Sequence, residues 1–318
     1  MVIATAGCSR ISTIQSVLHP AGPDAALISQ LAWLLFAGAA LILSGVMALF
    51  ALSLWRSGRP TSTVLWIAGG GIAFPVIVLT ALLIFSTLRS AQLTAQSSQQ
   101  TLIISVTAKM WWWEVRYRDP ASGREITLAN EIHIPAGRPV HLGLTTSDVI
   151  HSFWVPALAG KMDMIPGRVN GLTIHAAEPG IYRGQCAEFC GEQHARMALH
   201  VVAEPQAQFD AWLARQLQPA AAPTDALLER GRKAFVDQRC ASCHAIRGVA
   251  DQSRLGPDLT HVGSRLYIAA GTLRTHRGTL AGWIADTQGI KPGARMPSFD
   301  QMDGETLRAL SAYLEHLK

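Results

Sequence analysis

The chain opens with two long uncharged apolar runs. No charged residue occurs from Ala25 to Trp55, and none from Pro60 to Leu88. Each run exceeds the ~20 residues that an α-helix needs to cross a bilayer's hydrocarbon core. The pattern predicts a two-helix transmembrane hairpin within residues 31–90, with helices at about 31–55 and 63–88. Arg56 and Arg59 lie in the turn between them, which places that turn on the cytoplasmic side and both outer ends on the other. Gly69-Gly70-Gly71 and Pro75 would break a soluble helix, but a membrane tolerates them.

After a polar stretch at 91–100 the period changes. Short β-branched or alternating runs follow at Leu102–Val106, Glu131–Ile134, Val140–Leu144, Arg168–Ile174 and Leu199–Ala203. Turn-forming clusters such as Pro135-Ala136-Gly137 and Glu178-Pro179-Gly180 separate them, so residues 91–218 read as a β-sandwich that closes with a short helix at Pro205–Leu217. Residues 219–226, with Pro219-Ala220-Ala221-Ala222-Pro223, form a linker. Residues 227–318 form a separate all-α unit. Thr224-Asp225 can cap its first helix, and Leu307, Leu310, Leu314 and Leu317 recur at helical spacing in its last. The fold class is therefore a multidomain membrane protein.

Composition adds little beyond this. Hydrophobic residues make up 49% of the chain and charged residues 15%, an excess explained by the two N-terminal runs. The net charge is +5 with no basic run, which argues against a nucleic-acid partner. Residues 1–30 read as an irregular N-terminal segment. Within it Thr5-Ala6-Gly7-Cys8-Ser9 resembles the end of a bacterial lipoprotein signal without its apolar run. Cys8 is either a lipidation site behind a longer true N-terminus or an incidental cysteine.

The other four cysteines carry chemistry. Between Cys186 and Met197 the chain holds two cysteines, a histidine and a methionine: Cys186, Cys190, His194 and Met197. Thiolates and thioethers are soft ligands that select copper, and two cysteines four residues apart point to two coppers sharing both sulfurs. His194 serves one copper. The best second histidine is His151, 35 residues before Cys186. His133, His141, His175 and His200 sit in strand-like runs and read as surface or hydrogen-bonded core residues. Cys240-Ala241-Ser242-Cys243-His244 is a C-x-x-C-H motif: the thiols of Cys240 and Cys243 bond a haem c covalently and His244 ligates its iron. That attachment occurs outside the cytoplasm, in agreement with the charge-derived topology. Met296 is the expected sixth ligand, with His261, His276 and Met302 as competitors. His261 reads as a haem-edge or surface residue.

With these motifs in hand the chain resembles subunit II of haem–copper cytochrome c oxidases, in the caa-type form with a fused C-terminal cytochrome c domain. The likeness covers the hairpin, the sandwich and the C-terminal unit. It rests on Asp148–Pro156, Met164–Asn170, the loop 185–197 and the haem segment. It implies a cupredoxin-like fold for the sandwich and a dinuclear copper centre (CuA) on His151, Cys186, Cys190, His194 and Met197. The backbone carbonyl of Glu188 would be a further ligand, and its carboxylate would reach a magnesium ion shared with subunit I. Lys109–Tyr117 resembles the family's aromatic segment, in which Trp111 maps onto the residue where electrons reach the copper; strand alternation would put Trp111 and Trp113 on one face. The implied activity is that of an electron-input subunit: electrons pass from cytochrome c or a bc complex, via haem c and CuA, to the oxygen-reducing subunit I. The implied setting is a bacterial inner membrane, with subunits I and III and membrane lipid as partners and both metal domains on the periplasmic side. Where many relatives carry an acid at the start of the second membrane helix, this chain has Thr61-Ser62-Thr63. Nitrous oxide reductase has a similar copper loop, but it would need a His-rich propeller that is absent from this sequence. A copper chaperone would need no haem motif, and quinol-oxidase relatives lack the copper cysteines.

Overall fold

The computed structural model describes residues 14–55, 62–94, 102–119 and 122–318. Cys8, Arg56, Arg59 and Thr61 lie outside the described residues. Two units are present: residues 24–100, and residues 1–23 together with 101–318.

The first unit holds the apolar helices. Helix α1 runs over Pro23–Trp55, rather than from about residue 31, because Pro23 suits a first helical position and Asp24 in the first turn complements the helix dipole. A π-helical stretch at Leu65–Ala73 leads into α2 at Phe74–Thr94. The widened turn has local causes. Three glycines offer no side chains to resist it, Pro75 lacks the N–H that would serve Gly71, and the Phe74 N–H bonds the Gly69 carbonyl instead. Both segments are long and apolar enough to cross a membrane by length and composition. Their leucines, isoleucines and phenylalanines are largely exposed, including Leu41, Phe50, Ile77 and Leu83.

In the second unit, residues 102–204 form two five-stranded sheets. One has the order β3 (Glu125–Ala129), β2 (Trp112–Arg118), β1 (Leu102–Lys109), β5 (Pro139–Thr146), β8 (Asn170–His175). The other has the order β4 (Glu131–Pro135), β10 (Ala198–Glu204), β9 (Gly180–Cys186), β6 (His151–Trp154), β7 (Met162–Met164). β1 pairs with β5, and β10 with β4, in parallel; the other pairs are antiparallel. Alternating inward residues fill the space between the sheets, among them Ile104, Val106, Trp113, Val115, Leu142, Leu144, Phe153 and Val201. Helix α3 (Gln206–Gln216) closes one side through Phe209 and Trp212. There His133 stacks on Trp212 at 4.0 Å and is hydrogen-bonded by Glu131 and Glu204. Residues 14–22 lie against this sandwich: the Ala21 N–H donates to Ala157 and the Ala21 carbonyl accepts from Ala177. Gly22 is needed there, because a Cβ would collide with the His175 carbonyl oxygen.

The C-terminal part is helical, with α4 (Ala226–Asp237), α5 (Arg277–Ala285), α6 (Thr287–Ile290) and α7 (Gly304–His316). Asp225 caps α4 by accepting from the Leu227 and Leu228 amides. α4 crosses α7 closely at Gly231, where a Cβ would strike the Ala309 carbonyl and Tyr313. A small ribbon, β11 (Tyr267–Ile268) and β12 (Leu273–Arg274), is added to the helices. Its turn is built on positive φ angles at Ala269, Ala270 and Gly271. It sits on the sandwich: the Ala198 N–H donates to Ala270 at 3.0 Å, Tyr267 stacks on His200 at 4.3 Å, and Glu131 accepts from the Leu266 amide at 2.8 Å.

Two outcomes follow from this packing. Gly231→Ala should lower the stability of the C-terminal part by about 1–3 kcal/mol through overpacking, read as an earlier denaturant midpoint of its helical circular dichroism. For His133, burial opposes the charged form most, but the hydrogen bonds to Glu131 and Glu204 outweigh it and the pKa is raised. The charged ring therefore adds stability below the unfolded value of about 6.5, and this is lost as pH rises through the higher native value. Denaturation measured across that window should show a fall in stability that His133→Gln abolishes.

Candidate metal centre

Strand register builds the site. β6 pairs with β9 so that Phe153 faces Cys186 and Trp154 faces Gln185. His151, two residues before Phe153, shares its face of the sheet and so reaches the sulfur. Its Nδ1 lies 3.7 Å from the Cys186 Sγ. Its Nε2 meets the Asp148 carboxylate at 2.8 Å, which fixes the ring and leaves Nδ1 as the free ligand atom. Asp148 also accepts from the Met110 amide at 2.8 Å, so one carboxylate positions both the histidine and the aromatic segment.

β9 ends at Cys186 and β10 begins at Ala198. The Cys186 N–H donates to the Met197 carbonyl at 2.9 Å, closing the loop between them at its base. Inside, Cys190 Sγ is 3.6 Å from His194 Nδ1 and 3.9 Å from Met197 Sδ. The Glu188 carbonyl lies 3.1 Å from Cys186 Sγ, while its side chain is exposed. The ligand atoms of His151, Cys186 and Cys190 all fall within 4.8 Å of one another, and all three residues are buried. Cys186, Cys190 and Met197 belong to the sandwich core. The structure thus brings together all six expected groups as two thiols, two imidazoles, a thioether and a carbonyl, a donor set that fits copper. Without metal the facing thiols ionise unequally. Hydrogen bonding from Cys190, and then from His151, pulls Cys186 well below the usual thiol value, and the Cys186 thiolate in turn pushes Cys190 up.

Trp111 lies in the turn before β2, so strand alternation does not extend to it. Trp113 is fully buried against Phe153, 5.7 Å away edge to face. Trp112 points outward under Lys109. The Trp111 indole instead donates to the Cys190 carbonyl at 2.8 Å and faces Gly191. Gly191 has φ +110°, and a Cβ there would come within 3.1 Å of the ring.

At the second motif, Cys240 and Cys243 lie at the turn after α4 and form no disulfide. His244 Nδ1 meets the Pro257 carbonyl at 2.8 Å, which leaves Nε2 for an iron, and burial keeps the ring's pKa low and the imidazole neutral. Gly256 lies flat against that ring; a Cβ would come within 2.7 Å of it. These residues fit a haem c. Met296 is partly buried beside the same apolar cluster as Cys240, Leu259 and Met302. Its carbonyl, with that of Ala294, accepts from Gln288 at 2.7 Å. His276 caps α5. His261 is buried, not at the surface, with Nε2 3.1 Å from the Gln218 carbonyl. His200 is also buried and pushed down to about 4. Sequence reasoning missed Asp148, whose spacing from His151 was the available signal, and it missed Gln193, Arg196 and Lys291.

Comparison with known proteins follows the same division. A family model for the periplasmic domain of cytochrome c oxidase subunit II matches residues 102–204, and one for cytochrome c matches residues 228–318. Cytochrome c oxidase subunit 2 of Alkalihalophilus pseudofirmus is 38% identical over 218 residues, with 69% of this chain and 62% of the relative covered. That of Bacillus sp. (strain PS3) is 32% identical over 263 residues, with 77% and 72% covered. The solved periplasmic domain of subunit II of cytochrome oxidase of Bradyrhizobium japonicum is 32% identical, covers 36% of this chain and 92% of its own, and has a TM-score of 0.34.

The orienting bond from Asp148 generates one expectation. Asp148→Ala should weaken copper binding by about 10- to 100-fold, measured by titration against a competing chelator.

Proposed function

Because the chain belongs to the cytochrome c oxidase subunit II family, we propose that it is the electron-input subunit of a respiratory oxidase. It takes electrons from a cytochrome c or a bc complex and hands them to the oxygen-reducing subunit I. The observation that carries this reading is the convergence of His194, Met197 and the Glu188 carbonyl on the buried cluster of His151, Cys186 and Cys190. A haem c on Cys240, Cys243, His244 and Met296 and a CuA pair on the six groups would supply two one-electron carriers in one chain.

The chain's own residues do the rest. Asp148 and the β6–β9 register hold His151 in place, and the closed loop keeps the remaining donors fixed, so little need move when charge changes. Core residues Phe153 and Trp113 exclude water behind the thiols, and Trp111 bridges the loop to its surroundings. Exposed Phe189 and Glu188 on that loop, with exposed Val149 and Ile150 just before His151, offer an apolar and acidic face to subunits I and III. There the Glu188 carboxylate would hold the shared magnesium. The two apolar helices would anchor the chain in a bacterial inner membrane with both metal-bearing parts on the periplasmic side.

The reading is tested on the detergent-solubilised chain loaded with copper. One unpaired electron shared by two equivalent copper nuclei should give a seven-line hyperfine pattern in electron paramagnetic resonance, lost in Cys186→Ser. A four-line pattern from a single copper would overturn it.

A further inference from the structure

The C-terminal part contacts the copper loop through the short segment after α6. After α6 the chain runs from Ile290 through Lys291, Pro292 and Gly293 to Met296. The Arg196 guanidinium donates to the Ile290 carbonyl, and Gln193 Nε2 donates to the Pro292 carbonyl at 2.8 Å. Gly293 faces Trp111, where a Cβ would sit 3.5 Å from the indole. Between these contacts Lys291 turns inward and is only 3% exposed. Its Nζ donates to the carbonyls of Trp111 at 2.7 Å, Arg196 at 3.0 Å and Ala269 at 3.4 Å.

Lys291 has no ion-pair partner among the described residues, and burial pushes its pKa down to about 7. A buried cation costs several kcal/mol in desolvation, which a methionine of similar length would avoid. Space filling therefore does not account for a lysine here, whereas its three carbonyl partners do. Two belong to the copper side: Trp111, whose ring bonds the Cys190 carbonyl, and Arg196, between His194 and Met197. The third, Ala269, belongs to the ribbon of the C-terminal part. Lys291 is also five residues from Met296.

We propose that Lys291 is a positioning residue that fastens the 290–296 segment onto Trp111 and the 193–196 turn. It holds the loop that presents Met296 at one separation from the copper loop and closes the Trp111 face to outside donors. Donor proteins then deliver electrons to the C-terminal part and not to Trp111. This rests on the reading above, in which haem and copper are both bound.

The test uses the full-length chain loaded with both groups and compares wild type with Lys291→Met. Hydrogen exchange should quicken on the order of tenfold at the amides of 193–197 and 289–293 in the variant. Flash reduction of the haem should show transfer to copper slowed by about tenfold or more, with the copper resonance spectrum and the haem absorption unchanged. Arg196→Gln, which removes only the grip on Ile290, should shift both readouts the same way by less. Unchanged exchange and transfer in Lys291→Met overturn the proposal. So does a loss of the methionine-ligated haem spectrum, which would make Lys291 a support for Met296 alone. If the wild type itself moves no electron from haem to copper, the proposed function fails instead, and hydrogen exchange still decides whether Lys291 fastens the segment.

Discussion

The register between β6 and β9 is the constraint on which the metal centre depends. It sets Phe153 opposite Cys186, and with a side-chain period of two it delivers His151 to the same sulfur. A slip of one residue would turn His151 to the other face of the sheet and leave the loop with one imidazole. The register is itself secured from both sides. β7 pairs His151 with Met164, and the Cys186 amide bonds Met197 across the base of the loop. The side chains proposed to hold copper are thus positioned by backbone hydrogen bonds at the edge of a buried core.

Much of this was legible in the sequence, where the information is local. Alternating or β-branched apolar runs marked β1, β4, β5, β8 and β10: β1 and β5 bury one face, whereas β4 is buried on both. The spacing of Cys186, Cys190, His194 and Met197 marked the loop because all four lie on one connection. His151 was reachable from sequence only as the best of several histidines, since its proximity comes from strand pairing. The same reasoning left His133 and His200 as surface or core residues, and the structure buries both, stacked on Trp212 and Tyr267.

What could not be read was non-local. The parallel pairing of β1 with β5 leaves no mark on either strand. Trp111 looked like one more alternating strand residue, yet a turn takes it out of β2 and against Gly191. His261 looked peripheral, but the Gln218 carbonyl receives it in a buried position. The burial of Lys291 depends on two surfaces meeting, and a lysine before Pro-Gly reads in a sequence as an ordinary loop cation. The start of α1 at Pro23 was hidden for a different reason: residues 25–30 belong to the uncharged run but read with the irregular N-terminal segment, whereas Pro23 and Asp24 suit a first helical turn.

The cover that Gly293 and Lys291 place over Trp111 has an evolutionary consequence. In a subunit whose copper loop meets soluble donors directly, every change that suits a new donor is tried on the surface that also holds the metal. If donors meet the C-terminal part as proposed, the two tasks fall on different parts of the gene. The surface that meets donors can drift, be replaced or be recombined as a cassette, while residues 102–204 answer only to the copper and to the partners they share with the membrane complex. The contacts at 290–293, at the 266–270 ribbon and between Arg254 and Glu125 are where the two histories must agree.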